Sequence, residues 1–163
     1  MSNTVLSSDA RIGIANRGEP AVRAVRAIRD FNSKHGAALE AVAFYIDSEA
    51  DAPFVLEADS AYPLSSFPAA RDGGASYMNR DLLVEAFTQT GCEAVWVGWG
   101  FLSEEADFVS ALEEAGLVFL GPPSQPMSLL GDKIAAKELA ERSEVPVVPW
   151  SNGPVSSLEE ARS

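Results

Sequence analysis

Two sets of residues have the types and spacing to meet a ligand, and a third gathers charge on one helix face. Gly98-Trp99-Gly100-Phe101-Leu102-Ser103-Glu104 interleaves glycines with flat rings and ends on a hydroxyl and an acid. The glycines let the backbone approach a ligand closely, and Trp99 and Phe101 add flat apolar surface between them. Gly131-Asp132-Lys133 sets a lysine at the head of a helical pattern. Asp132 suits the positive end of a helix as its N-cap, but a cation in the first turn is unfavourable by about 0.3–1 kcal/mol. Two readings of Lys133 stand open. It is an exposed lysine paired with Asp132 or Glu138, or it is held beside helix N–H groups to meet an anion such as a phosphate. The third set, Arg23, Arg26 and Asp30, lies together on one face of a helical stretch.

Other chemistries are poorly supplied. The single histidine, His35, sits between Lys34 and Gly36 at a helix end and reads as a C-terminal helix charge, so no Ser/His/Asp or Cys/His set is credible. The single cysteine, Cys92, excludes an internal disulfide framework and a multi-cysteine metal site, and reads as a small buried residue. With 24 acids some neighbours arise by chance, so no acid–base pair can be picked out, and Glu104 and Glu105 read more simply as a solvated first turn. The excess of 24 acids over 12 bases excludes a nucleic-acid grip through bulk electrostatics. No apolar run approaches the roughly 20 residues that span a membrane, and the polar N-terminus lacks a signal-peptide core. The expectation is a soluble, cytoplasmic protein.

The elements that must position these residues alternate. Residues 1–9 read as a frayed tail, and Arg11-Ile12-Gly13-Ile14-Ala15 as a strand ending at Asn16-Arg17-Gly18. A helix is predicted over 19–34, with Ala21, Val25, Ile28 and Phe31 as its stripe toward a sheet. Residues 39–46 form a near-continuous apolar run, which suits a strand buried on both faces. A short helix over 52–58, a strand over 60–64 and a loop over 65–76, the most mobile segment expected, come next. Asn79 caps a helix to about residue 90. Strand 93–97, loop 98–102 and a helix over 103–115 capped by Ser103 hold the first candidate site. Strand 117–120, helices over 124–130 and 132–143, an extended stretch over 145–150 and a helix start at 156–161 complete the chain. That last helix breaks off early, as expected of a piece of a longer protein. Strand–helix alternation predicts an α/β, doubly wound domain with a mainly parallel sheet.

In such a sheet the loops after the strands share one edge, where ligands bind. A dinucleotide there requires Gly-x-Gly-x-x-Gly after the first strand. The chain has Ala15-Asn16-Arg17-Gly18-Glu19-Pro20, with one glycine and a bulky arginine, so that reading is excluded. A Walker phosphate loop is absent too, because Gly131-Asp132-Lys133 has no glycine five residues before it.

Ile14-Ala15-Asn16-Arg17-Gly18-Glu19 with Ala21-Val22-Arg23, then Gly98 to Glu104, then Gly121-Pro122, then Gly131-Asp132-Lys133-Ile134-Ala135-Ala136-Lys137 resemble the N-terminal domain of biotin carboxylases. These are the ATP-using components of acetyl-CoA, propionyl-CoA, pyruvate and related biotin-dependent carboxylases. The match runs in order from about residue 11 to residue 150. The resemblance implies a Rossmann-like domain over 10–144, preceding an ATP-grasp domain that starts within 145–163, after a disordered tail over 1–9. It implies a two-step ligase reaction: ATP and bicarbonate give carboxyphosphate, whose CO2 is transferred to N1 of biotin on a carrier protein. Lys133 matches the lysine that contacts ATP phosphates. Trp99, Gly100 and Phe101 match the loop beside bound biotin, and Glu104 a supporting acid in it. Arg23, Arg26 and Asp30 match a helix face that makes the dimer contact in bacterial-type enzymes.

The implied cofactors of the full-length enzyme are ATP, Mg2+ and biotin. The implied partners are a biotin carboxyl carrier protein or domain, a carboxyltransferase and a second copy of the chain. The family's lid, metal-binding glutamates, and catalytic acid and arginines fall after residue 163, so no catalytic or metal residue is assigned. The chain alone is expected to be inactive and to hold no cofactor tightly. Where bacterial-type members have His-Pro-Gly-Tyr-Gly, this chain has Trp96-Val97-Gly98-Trp99-Gly100. That form, Gly121-Pro122-Pro123-Ser124-Gln125 and Pro149-Trp150-Ser151 resemble large single-chain acetyl-CoA carboxylases, which implies an acetyl-CoA-type acceptor and a place in fatty acid metabolism. Asn16-Arg17-Gly18-Glu19 and Phe101-Leu102-Ser103 resemble the bacterial type. The competing readings are a non-catalytic α/β binding domain and another ATP-grasp ligase or carbamoyl-phosphate-synthetase relative. A downstream lid and a Met-Lys-Met carrier motif separate them from the first.

Overall fold

The computed structural model describes residues 6–162. Five strands, β1 (Arg11–Ile14), β2 (Glu40–Tyr45), β3 (Ser60–Pro63), β4 (Ala94–Trp96) and β5 (Val118–Phe119), form one sheet in the order β3-β2-β1-β4-β5. Every pairing is parallel, so the expected mainly parallel sheet is wholly so. Buried Ala41, Val42, Ala43 and Phe44 show why β2 reads as a continuous apolar run: it has helices on both faces. On one face, Ala21 and Val25 of α1 (Gly18–His35) and Phe54 of α2 (Pro53–Glu57) pack on Ile14, Ala41 and Ala43. On the other face, α4 (Arg80–Gln89) and α5 (Ala106–Glu114) set Leu83, Phe87, Phe108 and Leu112 against Val42, Phe44 and Val95. The Phe44 and Phe87 rings meet edge-on at 5.0 Å. A short helix, α3 (Ala70–Gly73), precedes α4; α6 (Ser124–Gly131) and α7 (Lys133–Arg142) follow β5.

Several expectations are corrected. The tail divides: residues 1–5 lie outside the described residues, whereas Leu6 packs on the Ala10, Ile12 and Ala94 cluster and the Ser7 hydroxyl donates to Glu93 at 3.0 Å. Phe31 does not reach the sheet. It is 47% exposed and lies on the His35 ring at 4.5 Å. An 18-residue helix is about 27 Å long. The 6-residue β2, the strand α1 packs on most, spans about 20 Å, so the last turns of α1 overhang. The expected loop over 65–76 contains α3, stopped by Gly74 in the left-handed region (φ 76°). The expected helix start at 156 is a short 3-10 turn, Glu160–Arg162, with Ser156 donating to the Glu160 carboxylate.

Ser103 does not cap the helix after β4. That helix starts at Ala106, with Glu105 at the N-cap. Gly100 (φ 75°) and Phe101 (φ 49°) are both left-handed, and Ser103 N–H donates to Gly100 C=O at 3.0 Å. The chain therefore makes one more turn, with Leu102 buried as its anchor, before the helix can begin. Asn79 and Asp132 do cap as the sequence predicts. Asn79 accepts from Leu82 N–H, and Asp132 accepts from Ile134 and Ala135 N–H at 2.8 and 2.9 Å.

Candidate functional site

The strand order reverses between β1 and β4, so the turns leaving these strands diverge into a crevice. Asn16 fills it. Among the described residues it is the polar one that is buried in the core, 2% exposed. Its side-chain amide donates to Val97 C=O at 2.7 Å and Trp99 C=O at 3.1 Å, and its Oδ1 accepts from Arg17 N–H at 2.7 Å. One side chain thus ties the turn after β1 to the turn after β4. Gly98 (φ 64°) lies against this tie. A Cβ there would stand 2.7 Å from Trp96 Cη2 and 3.0 Å from Asn16 Nδ2, so only glycine fits.

Pinned at its carbonyl, Trp99 turns its ring outward and is 61% exposed. Gly100 has no heavy atom within 4 Å of a built Cβ and leaves open space beside it. Phe101 packs on the Tyr77 ring at 5.1 Å between centroids. Tyr77 is buried, with its hydroxyl between Phe44 C=O at 3.0 Å and Glu49 Oε2 at 2.9 Å. Burial first, and the Glu49 carboxylate second, push its ionisation well above the usual phenol range. The other Glu49 oxygen pairs with Arg17 Nε at 3.1 Å. Sequence reasoning missed Tyr77 and Glu49. It quoted Asn16 only within a motif and read Arg17 only as a steric block.

Glu104 is not part of this aromatic pair. It lines an open cleft of about 370 Å³ with Ser103, Pro122, Met127, Leu130 and Lys133. The structure therefore brings the end of the 98–104 loop and the start of α7 to one cleft, while Trp99 and Phe101 do not line it. Asp132 occupies the Ile134 and Ala135 N–H groups at the start of α7, and the Lys133 ammonium is the cation lining the cleft. Among the described residues no group of three or more His, Cys, Asp or Glu is placed to hold a metal ion, and the residues present do not build a Mg2+ site.

The α1 face turns toward its own chain. Arg26 grips the Glu57 carboxylate in a two-pronged pair at 2.9 and 2.7 Å, and Arg29 donates to Glu57 C=O. The hydrogen bond from Arg26 holds the Glu57 carboxyl below its usual range. Arg23 pairs with Glu19 one turn away at 3.3 Å, and Asp30 is exposed. Cys92 is buried, and burial pushes its thiol up.

Comparison with known proteins adds a family. A model of the biotin carboxylase N-terminal domain matches residues 8–127. The chain is 39% identical over 160 residues to a biotin-dependent acyl-coenzyme A carboxylase alpha3 subunit of Mycobacterium leprae, covering 98% of this chain and 25% of that protein. It is 36% identical over 152 residues to pyruvate carboxylase 1 of Caenorhabditis elegans, covering 93% of this chain and 12% of that one. Among solved structures, the biotin carboxylase domain dimer of Hydrogenobacter thermophilus 2-oxoglutarate carboxylase, in complex with MgADP, ADP and bicarbonate, superposes with a TM-score of 0.79 at 36% identity. That match covers 93% of this chain and 31% of the other. The chain thus spans less than a third of each of these relatives.

Proposed function

Since the chain belongs to the biotin carboxylase N-terminal domain family, we propose that it is the N-terminal part of a ligase that uses ATP and bicarbonate to carboxylate biotin on a carrier, within an acetyl-CoA-type acyl-CoA carboxylase of fatty acid metabolism. The observation behind this reading is the meeting of the 98–104 loop with Lys133 at one cleft. In the proposal, the exposed Lys133 ammonium binds a nucleotide phosphate. Trp99, Gly100 and Phe101 offer their flat, open surface to the biotin ring system, and Glu104 orients the end of that loop. Residues 10–144 are the domain and 145–163 the beginning of the ATP-grasp domain.

The chemistry beyond binding belongs to groups outside this chain: Mg2+ would neutralise phosphate charge, and no residue described here would hold it. The acetyl-CoA assignment leans on the Gly98-Trp99-Gly100 and Gly121-Pro122-Pro123 forms, because the relatives include acyl-CoA, pyruvate and 2-oxoglutarate enzymes. The proposed partners are a biotin carboxyl carrier, a carboxyltransferase and a second copy across the Arg23, Arg26 and Asp30 face, where Arg26 must share or release Glu57. The test is ADP release by the whole carboxylase with and without bicarbonate and free biotin. Bicarbonate-dependent release that falls at least tenfold in Lys133→Gln, with the fold intact, is the expected result. Release independent of bicarbonate overturns the reading, as does bicarbonate-dependent release by the 163-residue chain alone.

A further inference from the structure

Phe101 holds a left-handed backbone (φ 49°), which a bulky residue adopts only where its surroundings over-determine it, at about 1–3 kcal/mol. Three contacts hold it. Asn16 binds the Trp99 carbonyl, Leu102 is buried beneath the turn, and Tyr77 touches the Phe101 ring itself. Filling the core would need only the ring of Tyr77. Its hydroxyl instead reaches the Phe44 carbonyl at the end of β2 and the Glu49 carboxylate, which Arg17 holds from its other side. Arg17, Glu49, Tyr77 and Phe101 come from four separate segments, and all meet at the carboxyl edge of the sheet.

We propose that Tyr77 is the positioning residue for Phe101, and that the Arg17–Glu49 pair locks Tyr77 so that the 98–104 loop presents one conformation to its ligand. That the ligand is a biotin ring rests on the proposed function above; the positioning does not. A carboxylate accepts only, so Glu49 fixes the Tyr77 hydroxyl as a donor, and the chain of contacts runs from Arg17 to the ring. The Tyr77 side chain touches Phe101 from the core side and leaves its outer surface, 37% exposed, for contact.

The test reads amide exchange at Ser103 and Glu105 in the 163-residue chain, since the extra turn bonds these N–H groups to the carbonyls of Gly100 and Leu102. Tyr77→Leu is expected to speed both by about tenfold while Leu83 in α4 and Val109 in α5 keep their rates. Tyr77→Phe and Glu49→Ala, which keep the ring, are expected to give about threefold, and Glu49→Gln, which keeps an acceptor, to restore the slow rate. Unchanged exchange in the loop overturns the positioning role, as does an equal rise in loop and helices, which reports general destabilisation. If Tyr77→Leu does not fold, Tyr77→Phe and Glu49→Ala decide. In the whole carboxylase, Tyr77→Phe is expected to raise KM for free biotin severalfold with kcat and the KM for ATP unchanged. Faster loop exchange with an unaltered biotin KM overturns the biotin reading of the loop and leaves the positioning standing.

Discussion

Replacing Asn16 tests whether one side chain holds the two central turns together. Asn16→Ala removes three hydrogen bonds. The Arg17 N–H and Trp99 C=O belong to exposed residues and can regain water, which limits each loss to under about 1 kcal/mol. Val97 is 2% exposed, so its carbonyl loses its partner out of reach of solvent, at about 1–3 kcal/mol. The expected loss is about 2–4 kcal/mol, or about 4–16 °C in melting temperature for a chain of this length. Asn16→Asp keeps the acceptor for Arg17 but turns a second oxygen toward two carbonyls. Burial and those carbonyls raise the folded pKa of the new carboxyl above its unfolded value near 3.9. Its stability is then fully present below about pH 4 and lost as pH rises through the folded value, so its deficit against the parent widens from pH 4 to pH 8. Urea unfolding across that range reads both variants. An Asn16→Ala loss under about 0.5 kcal/mol, or a pH-independent deficit in Asn16→Asp, refutes the tie.

Three further outcomes follow from the same geometry. Gly98→Ala combines a left-handed backbone with a Cβ 2.7 Å from Trp96, and is expected to lose about 2–5 kcal/mol. Gly100→Ala has the strained backbone but open space, so about 1–2 kcal/mol; equal losses in thermal melts refute the crowding argument. The raised ionisation of Tyr77 makes stability that is fully present below about pH 10 and falls as pH rises toward the folded value. In a Cys92→Ser background, which removes the similarly raised thiol, urea unfolding at pH 9 and pH 10.5 is expected to show a steeper fall for Tyr77 than for Tyr77→Phe; parallel slopes refute it. Asp132→Ala removes the cap of α7 and is expected to speed amide exchange at Ile134 and Ala135 severalfold, an effect of about 1 kcal/mol, with β1 and β4 unaffected.

The sequence carries the local rules of this fold plainly and the long-range ones faintly. Continuous burial of β2, the caps at Asn79 and Asp132, and the strand–turn–helix around Gly98 are each written in adjacent residues. Ser103 misleads because a hydroxyl before two acids looks like a cap wherever it stands. The left-handed Phe101 and buried Leu102, which delay the helix, leave no pattern of their own. Phe31 misleads because helical periodicity does not reveal how short the strand beneath is. Asn16 reads as an ordinary turn residue, since its partners lie 81 and 83 residues on. Tyr77 sits in a stretch rich in Gly, Ser and Ala, and its partners come from segments that only the sheet topology brings together. The pairing of Glu104 with Lys133 at one cleft needs the same topology.

Asn16 also decides which part of this sheet's edge stays open. In an open parallel sheet the crevice at the strand-order reversal is the natural ligand seat, entered between the turns that diverge there. Here an amide fills the crevice and its hydrogen bonds tie the two turns together, which leaves the outer side of the loop as its open face. That loop then has two faces with different supports. The Phe101 face is backed by Tyr77 and, through Glu49, by the turns after β1 and β2. The Glu104 face opens to the cleft beside α6 and α7, where Lys133 is the cation and Asp132 holds the Ile134 and Ala135 N–H groups. Rings thus lie on one side of the loop and charge on the other. The backbone between them is held at the Trp99 carbonyl and by the turn at Gly100.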